Sequence, residues 1–106
     1  MVPKNKRLTK PLFNKVFSEG GRIKTAYFSG RHLPGVTSAW AVVAPSSVFK
    51  KAHQRNRARR LAYGAIANLL KDHKPKKPGQ TILIYQKISK DLSGEEIYRD
   101  LSSLFS

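Results

Sequence analysis

Within Arg55-Asn-Arg-Ala-Arg-Arg60 four guanidiniums and one carboxamide crowd six consecutive residues. Arginine grips phosphate through a rigid planar fork of donors, and an asparagine beside it both donates and accepts. Downstream, Ala58, Leu61, Ala62, Ala65, Ile66, Leu69 and Leu70 recur at i, i+3, i+4, i+7, i+8, i+11 and i+12, one face of an amphipathic helix. On that helix Asn56 and Arg60 fall on the exposed side. Arg55 and Arg59 fall at one margin of the buried arc and Arg57 at the other. Like charges four residues apart cost ~0.2–0.5 kcal/mol per pair, and cations at a helix N-terminus oppose its dipole. Selection for stability alone would not assemble this set, so its chemistry is read as phosphate binding rather than as a solvated face. Lys50 and Lys51 extend the field upstream, whereas Lys74, Lys76 and Lys77 read more simply as a solvated loop.

A second kind of chemistry lies near the N-terminus. Phe13 and Phe17 stand four apart, as do Leu12 and Val16, so one pair is expected to face the core. An exposed aromatic on a basic protein can stack on unpaired bases, at ~1–3 kcal/mol per base. Tyr27 and Phe28 point to opposite faces of a strand, so one of them could line a groove, while Trp40 lies in a strand apolar enough to be core. Side chains for bond-breaking are not evident. Glu95, Glu96 and Asp100 fit capping and dipole preferences, and His32, His53 and His73 have no metal-ligand spacing. Gly20-Gly21 lacks the lysine and hydroxyl of a phosphate loop. With no cysteine, thiolate zinc sites, disulfides and cysteine nucleophiles are excluded.

The elements that must position these groups follow from local signals. Thr9 can cap a short helix carrying Pro11 in its first turn and ending at Gly20-Gly21. Strands are expected at 24–29, 38–44 and 80–86, with turn chemistry from Gly30 to Gly35. The long helix ends before Lys74-Pro-Lys-Lys-Pro-Gly79, and Ser93 with Glu96 forms a capping box opening a last helix that buries Ile97, Leu101, Leu104 and Phe105. The order helix, two strands, long helix, strand, helix predicts an α+β fold, a small α/β sandwich whose sheet is covered by helices on one side. At 106 residues, residues 1–106 form a single domain, with 1–8 a flexible basic arm. The net charge of +15 concentrates in residues 1–90, which hold 20 Lys+Arg against 2 acids. So much like charge on so small a body calls for a polyanionic partner, nucleic acid before an anionic membrane surface. A soluble, cytoplasmic protein without a membrane span is the expected setting.

Lys50-Lys-Ala-His-Gln-Arg-Asn-Arg-Ala-Arg-Arg-Leu61 resembles the signature of the bacterial ribonuclease P protein component. Arg7-Leu-Thr-Lys and Phe13-Asn-Lys-Val-Phe17 are similar to that family's N-terminal helix, and Thr81–Tyr85 and the closing helix fall in the family's order. The resemblance implies a left-handed βαβ crossover, contrary to the usual rule. It also implies a holoenzyme in which a catalytic RNA, with Mg²⁺ held mainly by RNA, removes the 5′ leader from precursor tRNA. On that basis Lys50, Lys51, Arg55, Asn56, Arg57, Arg59 and Arg60 would contact the catalytic RNA. Phe13, Phe17 and Phe28 would belong to a cleft for the single-stranded leader. The expected partners are the catalytic RNA and precursor tRNA, with no membrane, no small-molecule substrate and no activity in the protein alone. Two departures stand out: Pro45-Ser-Ser-Val-Phe-Lys replaces a Lys-Lys pair that the family often has, and Tyr63-Gly64 stands where a basic residue is common. The alternatives are a structural RNA-binding protein, such as a small ribosomal protein, and more distantly a protein-only nuclease.

Overall fold

A computed structural model describes residues 8–35, 38–86 and 93–105. Seven elements follow one another: α1 (Lys10–Glu19), β1 (Gly21–Lys24), β2 (Phe28–Pro34), β3 (Ala39–Val43), α2 (Ala52–Asp72), β4 (Gly79–Tyr85) and α3 (Gly94–Ser102). The four strands lie in the order β1-β2-β4-β3. The β1/β2 and β2/β4 pairs are antiparallel and β3/β4 is parallel, so α2 is the crossover of a βαβ unit. Residues 1–7 of the expected arm lie outside the described residues. Its last member, Leu8, is tied in, its N–H donating to the Trp40 carbonyl at 3.0 Å.

The sheet is covered on both faces, not one. Alternation along the strands sends Phe28, Trp40, Val42, Leu83 and Tyr85 toward α2 and α3, where they pack with Ala58, Ala62, Ile66, Leu69, Ile97 and Leu101. Ala41 and Ile82 point the other way, against Val16 of α1, with Leu8, Phe13, Leu33, Val43 and Ile84 around them. The order of elements predicts helices on one side only, and α1 is short. Its Val16 is nevertheless fully buried, enough to close the second face.

The largest departure from the expected strands is at 21–35. A strand expected at 24–29 is split by a turn, and the expected turn at Gly30–Gly35 is mostly β2. Gly30 looks like turn chemistry but meets a packing demand: a Cβ there would lie 1.8 Å from the Ile82 carbonyl oxygen. Pro34 is tolerated because it sits at the last position of its strand. The β1–β2 turn is held from a distance by Asp100 of α3. Its carboxylate accepts from the Thr25 hydroxyl at 2.7 Å and from the N–H groups of Ala26 and Tyr27 at 2.8 and 3.1 Å. Asp100, assigned to helix-dipole preference from sequence, is thus the clasp between α3 and the hairpin. Asp100→Ala leaves three donors with no acceptor in this half-buried site. It should cost about 2–3 kcal/mol, read as a lowered urea midpoint; a midpoint unchanged from the parent would contradict the clasp.

Strand β3 is a sheet edge, and two of its outward groups are partnered: the Tyr63 hydroxyl accepts from the Val42 N–H at 3.1 Å, and the Trp40 carbonyl accepts from Leu8. Tyr63 therefore has a structural reason. Gly64 is not required by close packing, because a Cβ there meets nothing within 4 Å. Gly64 instead borders an open groove of about 380 Å³ between α2 and α3. Gly64→Ala should therefore stabilise the protein by about 0.5–1 kcal/mol through helix propensity. A lowered urea midpoint in that variant would show that the space is not free.

Candidate RNA interface

Helix α2 starts at Ala52, six residues before the first buried alanine, so its whole first turn projects from the core. The lead-in is shaped by Pro45, whose carbonyl accepts from the Val48 and Phe49 N–H groups at 3.1 and 2.9 Å. Phe49 is then buried edge-on against Tyr85, ring centroids 5.1 Å apart. Tyr85 fastens the helix by donating its hydroxyl to the Ala58 carbonyl at 2.7 Å. Burial pushes the Tyr85 phenol well above its ordinary pKa, while the nearby charge of Arg57 pulls it back.

On this base the arginines divide. Arg55 is half-buried and donates to the carbonyls of Phe49 (3.0 Å) and Lys50 (3.3 Å), locking the lead-in to the helix. Arg59, also half-buried, donates to the Asn56 side-chain oxygen, which orients its guanidinium. Arg57, Arg60, Lys50 and Lys51 are exposed, and the first turn of α2 holds no acidic residue. The margins assigned to Arg55 and Arg59 and the outward position of Asn56 and Arg60 agree with the structure. The internal role of Arg55 was not legible.

On α1 the buried stripe is Phe13 and Val16 rather than either i, i+4 pair; Leu12 and Phe17 are exposed, at 37% and 48%. Phe17 stacks on Phe13 with centroids 6.3 Å apart and planes 11° from parallel. The Arg31 guanidinium lies 5.5 Å from the Phe17 ring centre and donates to the Gly20 carbonyl at 3.3 Å. A groove of about 490 Å³ runs beside them along the sheet, past Arg22, Lys24 and Ser29 to Gln86. Phe28 is not in it. Its ring is fully buried on the opposite face, 4.3 Å from Tyr85 between centroids, and cannot stack on a ligand. The groove instead gains Arg22, Lys24 and Arg31, which sequence reasoning missed. Arg22 and Arg31 are direct cross-strand partners, a like-charge pair that sheets ordinarily avoid. Strand alternation would have revealed them had 28–34 been read as a strand.

Among the described residues, no group of three or more His, Asp or Glu side chains could hold a metal ion. No helix among them is long and apolar enough to cross a membrane.

A small α+β sandwich with a charge of +15 and two basic surfaces has the features of the class of RNA-binding proteins. The sequence matches the family described as Ribonuclease P over residues 2–106, and the chain belongs to that family. It is thus a protein subunit of the ribonuclease P holoenzyme, an endoribonuclease of tRNA 5′ maturation, working with an RNA subunit and a tRNA substrate. The Staphylococcus aureus RNase P protein shares its fold at 16% identity, with TM-score 0.74 over 93% of this chain and 91% of that one. A mutant of the S. aureus protein with defective mRNA degradation activity aligns at 15% identity and TM-score 0.77, covering 95% and 86%. A further S. aureus structure gives 15% and 0.72, covering 98% and 89%. No curated protein sequence matches this chain.

Proposed function

We propose that the two basic surfaces divide the work of the subunit. The start of α2, with Lys50, Lys51, Arg57, Arg59 and Arg60, neutralises phosphates of the catalytic RNA. The groove beside α1 holds the single-stranded 5′ leader of precursor tRNA. Arg55 and Asn56 support the first surface by positioning the lead-in and Arg59. Cleavage is performed by the RNA with Mg²⁺ bound mainly by RNA, in the cytoplasm, and the protein alone is inactive.

The observation that carries this reading is Phe17, half exposed on α1, stacked on Phe13 and flanked by Arg31 along a groove lined by Arg22 and Lys24. Aromatic faces beside guanidiniums are how proteins hold unpaired nucleotides whatever their sequence. The groove reaches Gln86, next to Tyr85, whose hydroxyl fastens α2. A leader lying in it would therefore run toward the arginines. Phe17→Ala in the reconstituted holoenzyme should weaken precursor tRNA binding about tenfold, the loss of one stacked base. Mature tRNA, which has no leader, should bind as before. Equal weakening of both would remove the leader from this groove.

A further inference from the structure

Gly64 lies in the middle of the 21-residue helix α2, where glycine weakens a helix more than any residue except proline. Nothing inside the chain asks for it. Its φ is not in the left-handed region, and an added Cβ would meet nothing within 4 Å. A residue that weakens its own helix without a packing or backbone reason is explained by what approaches from outside.

The surroundings say what that is. Gly64 borders the open groove of about 380 Å³ between α2 and α3, with Arg60 and Asn68 on the α2 side and Glu95 and Tyr98 on the α3 side. The groove is held at its width, because Ala65 of α2 and Ile97 and Leu101 of α3 are buried in one core. Glu95 is ion-paired with Arg99 one turn on, at 2.6 Å, so the net charge of the lining is that of Arg60. Along α2, Arg57, Arg60, Gly64, Asn68 and Lys71 follow one another at spacings of three or four residues, one continuous line on the helix. The four side chains of this line are exposed and none is acidic. It runs for about 21 Å, and Gly64 is the gap at its centre, where the helix backbone itself is the surface.

We propose that the sugar–phosphate backbone of the catalytic RNA follows this line beyond the arginines and comes closest to α2 at Gly64. Without a Cβ, a ribose can approach the helix backbone directly. Arg57, Arg60 and Lys71 carry phosphates on either side of the gap. Asn68 and the Tyr98 hydroxyl both donate and accept, as a ribose 2′-hydroxyl requires of its partners. The proposal rests on the reading of the α2 arginines as phosphate contacts, and it adds α3 to that surface.

The test compares the full chain with its Gly64→Ala and Gly64→Met variants, by urea melts and by affinity for the catalytic RNA. Both midpoints should rise, as helix propensity dictates. Affinity should fall, about threefold for alanine and about tenfold for methionine, whose side chain occupies the groove. Stability and binding then move in opposite directions, which a glycine of purely structural purpose would not produce. Asn68→Ala, at an exposed position, should weaken RNA about threefold with the salt slope unchanged, since it removes no charge. That variant keeps the test decisive if Gly64→Met fails to fold. Parental affinity in Gly64→Met and Asn68→Ala, while Arg57→Ala with Arg60→Ala still weakens RNA, overturns this path alone. Parental affinity in the arginine variant as well overturns the α2 reading and the path with it. Altered self-association of Gly64→Met at unchanged RNA affinity would give the groove to a second copy of the chain and overturn the proposal.

Discussion

Gly30→Ala is expected to destabilise the folded state by about 4 kcal/mol or more at 25 °C. Gly30 is buried in the middle of β2, paired with Ile23 on one side and Leu83 on the other. An added Cβ would sit 1.8 Å from the Ile82 carbonyl oxygen and 2.8 Å from its carbon. Those atoms are backbone of the central strand β4, so no side chain can swing aside. Relief requires β2 and β4 to part, which breaks the antiparallel ladder joining Phe28–Pro34 to Gly79–Tyr85. A cost of about 4 kcal/mol or more follows, against a total stability of about 5–15 kcal/mol for a domain of ordinary size. Far-UV circular dichroism and urea melts check it. A cooperative melt within about 1 kcal/mol of the parent would mean that β2 is not packed as described.

The second large effect falls on RNA binding. Arg57→Ala combined with Arg60→Ala should lower affinity for the catalytic RNA by about 10–100-fold at moderate salt. It should also flatten the dependence of log affinity on log salt by nearly two units, about 0.9 per lost duplex phosphate contact. Arg55→Ala should behave differently. Its guanidinium donates to two carbonyls of the protein's own lead-in, so the change should appear mainly as about 1–2 kcal/mol of lost stability with a smaller effect on slope. Salt titrations of RNA binding beside urea melts separate the two. An equal slope change for Arg55 and for Arg60 would return Arg55 to the phosphate contacts.

The two effects mark what is local and what is not. The arginines of α2 are legible because a 3.6-residue period, read from Ala58 to Leu70, places each guanidinium relative to the buried arc without reference to the rest of the chain. Helix α3 is legible for a similar reason: Ser93 accepts from the Glu96 N–H at 3.2 Å, as its capping spacing predicts. Strand β2 is not legible. Gly30, His32 and Pro34 carry turn composition, and only the neighbour β4 shows that Gly30 is required by close approach and His32 by its bond to Thr81. Misplacing that strand hid Arg31, whereas Phe28 was placed in the groove by the family resemblance, and only its packing against Tyr85 shows that it is buried on the other face.

By itself, then, the sequence determined the polyanionic kind of partner, the helix that carries the arginines, the aromatic pair on α1 and the family to which these belong. Each rests on composition or on spacing within one element. Tertiary structure alone decided that the sheet is covered on both faces, that Phe17 is exposed while Phe28 is buried, that Arg22 and Arg31 meet across two strands, and that Asp100 clasps a turn more than seventy residues away in sequence. The reason is physical. Which face of a strand meets water depends on what packs against it from distant parts of the chain, and no local period records that choice.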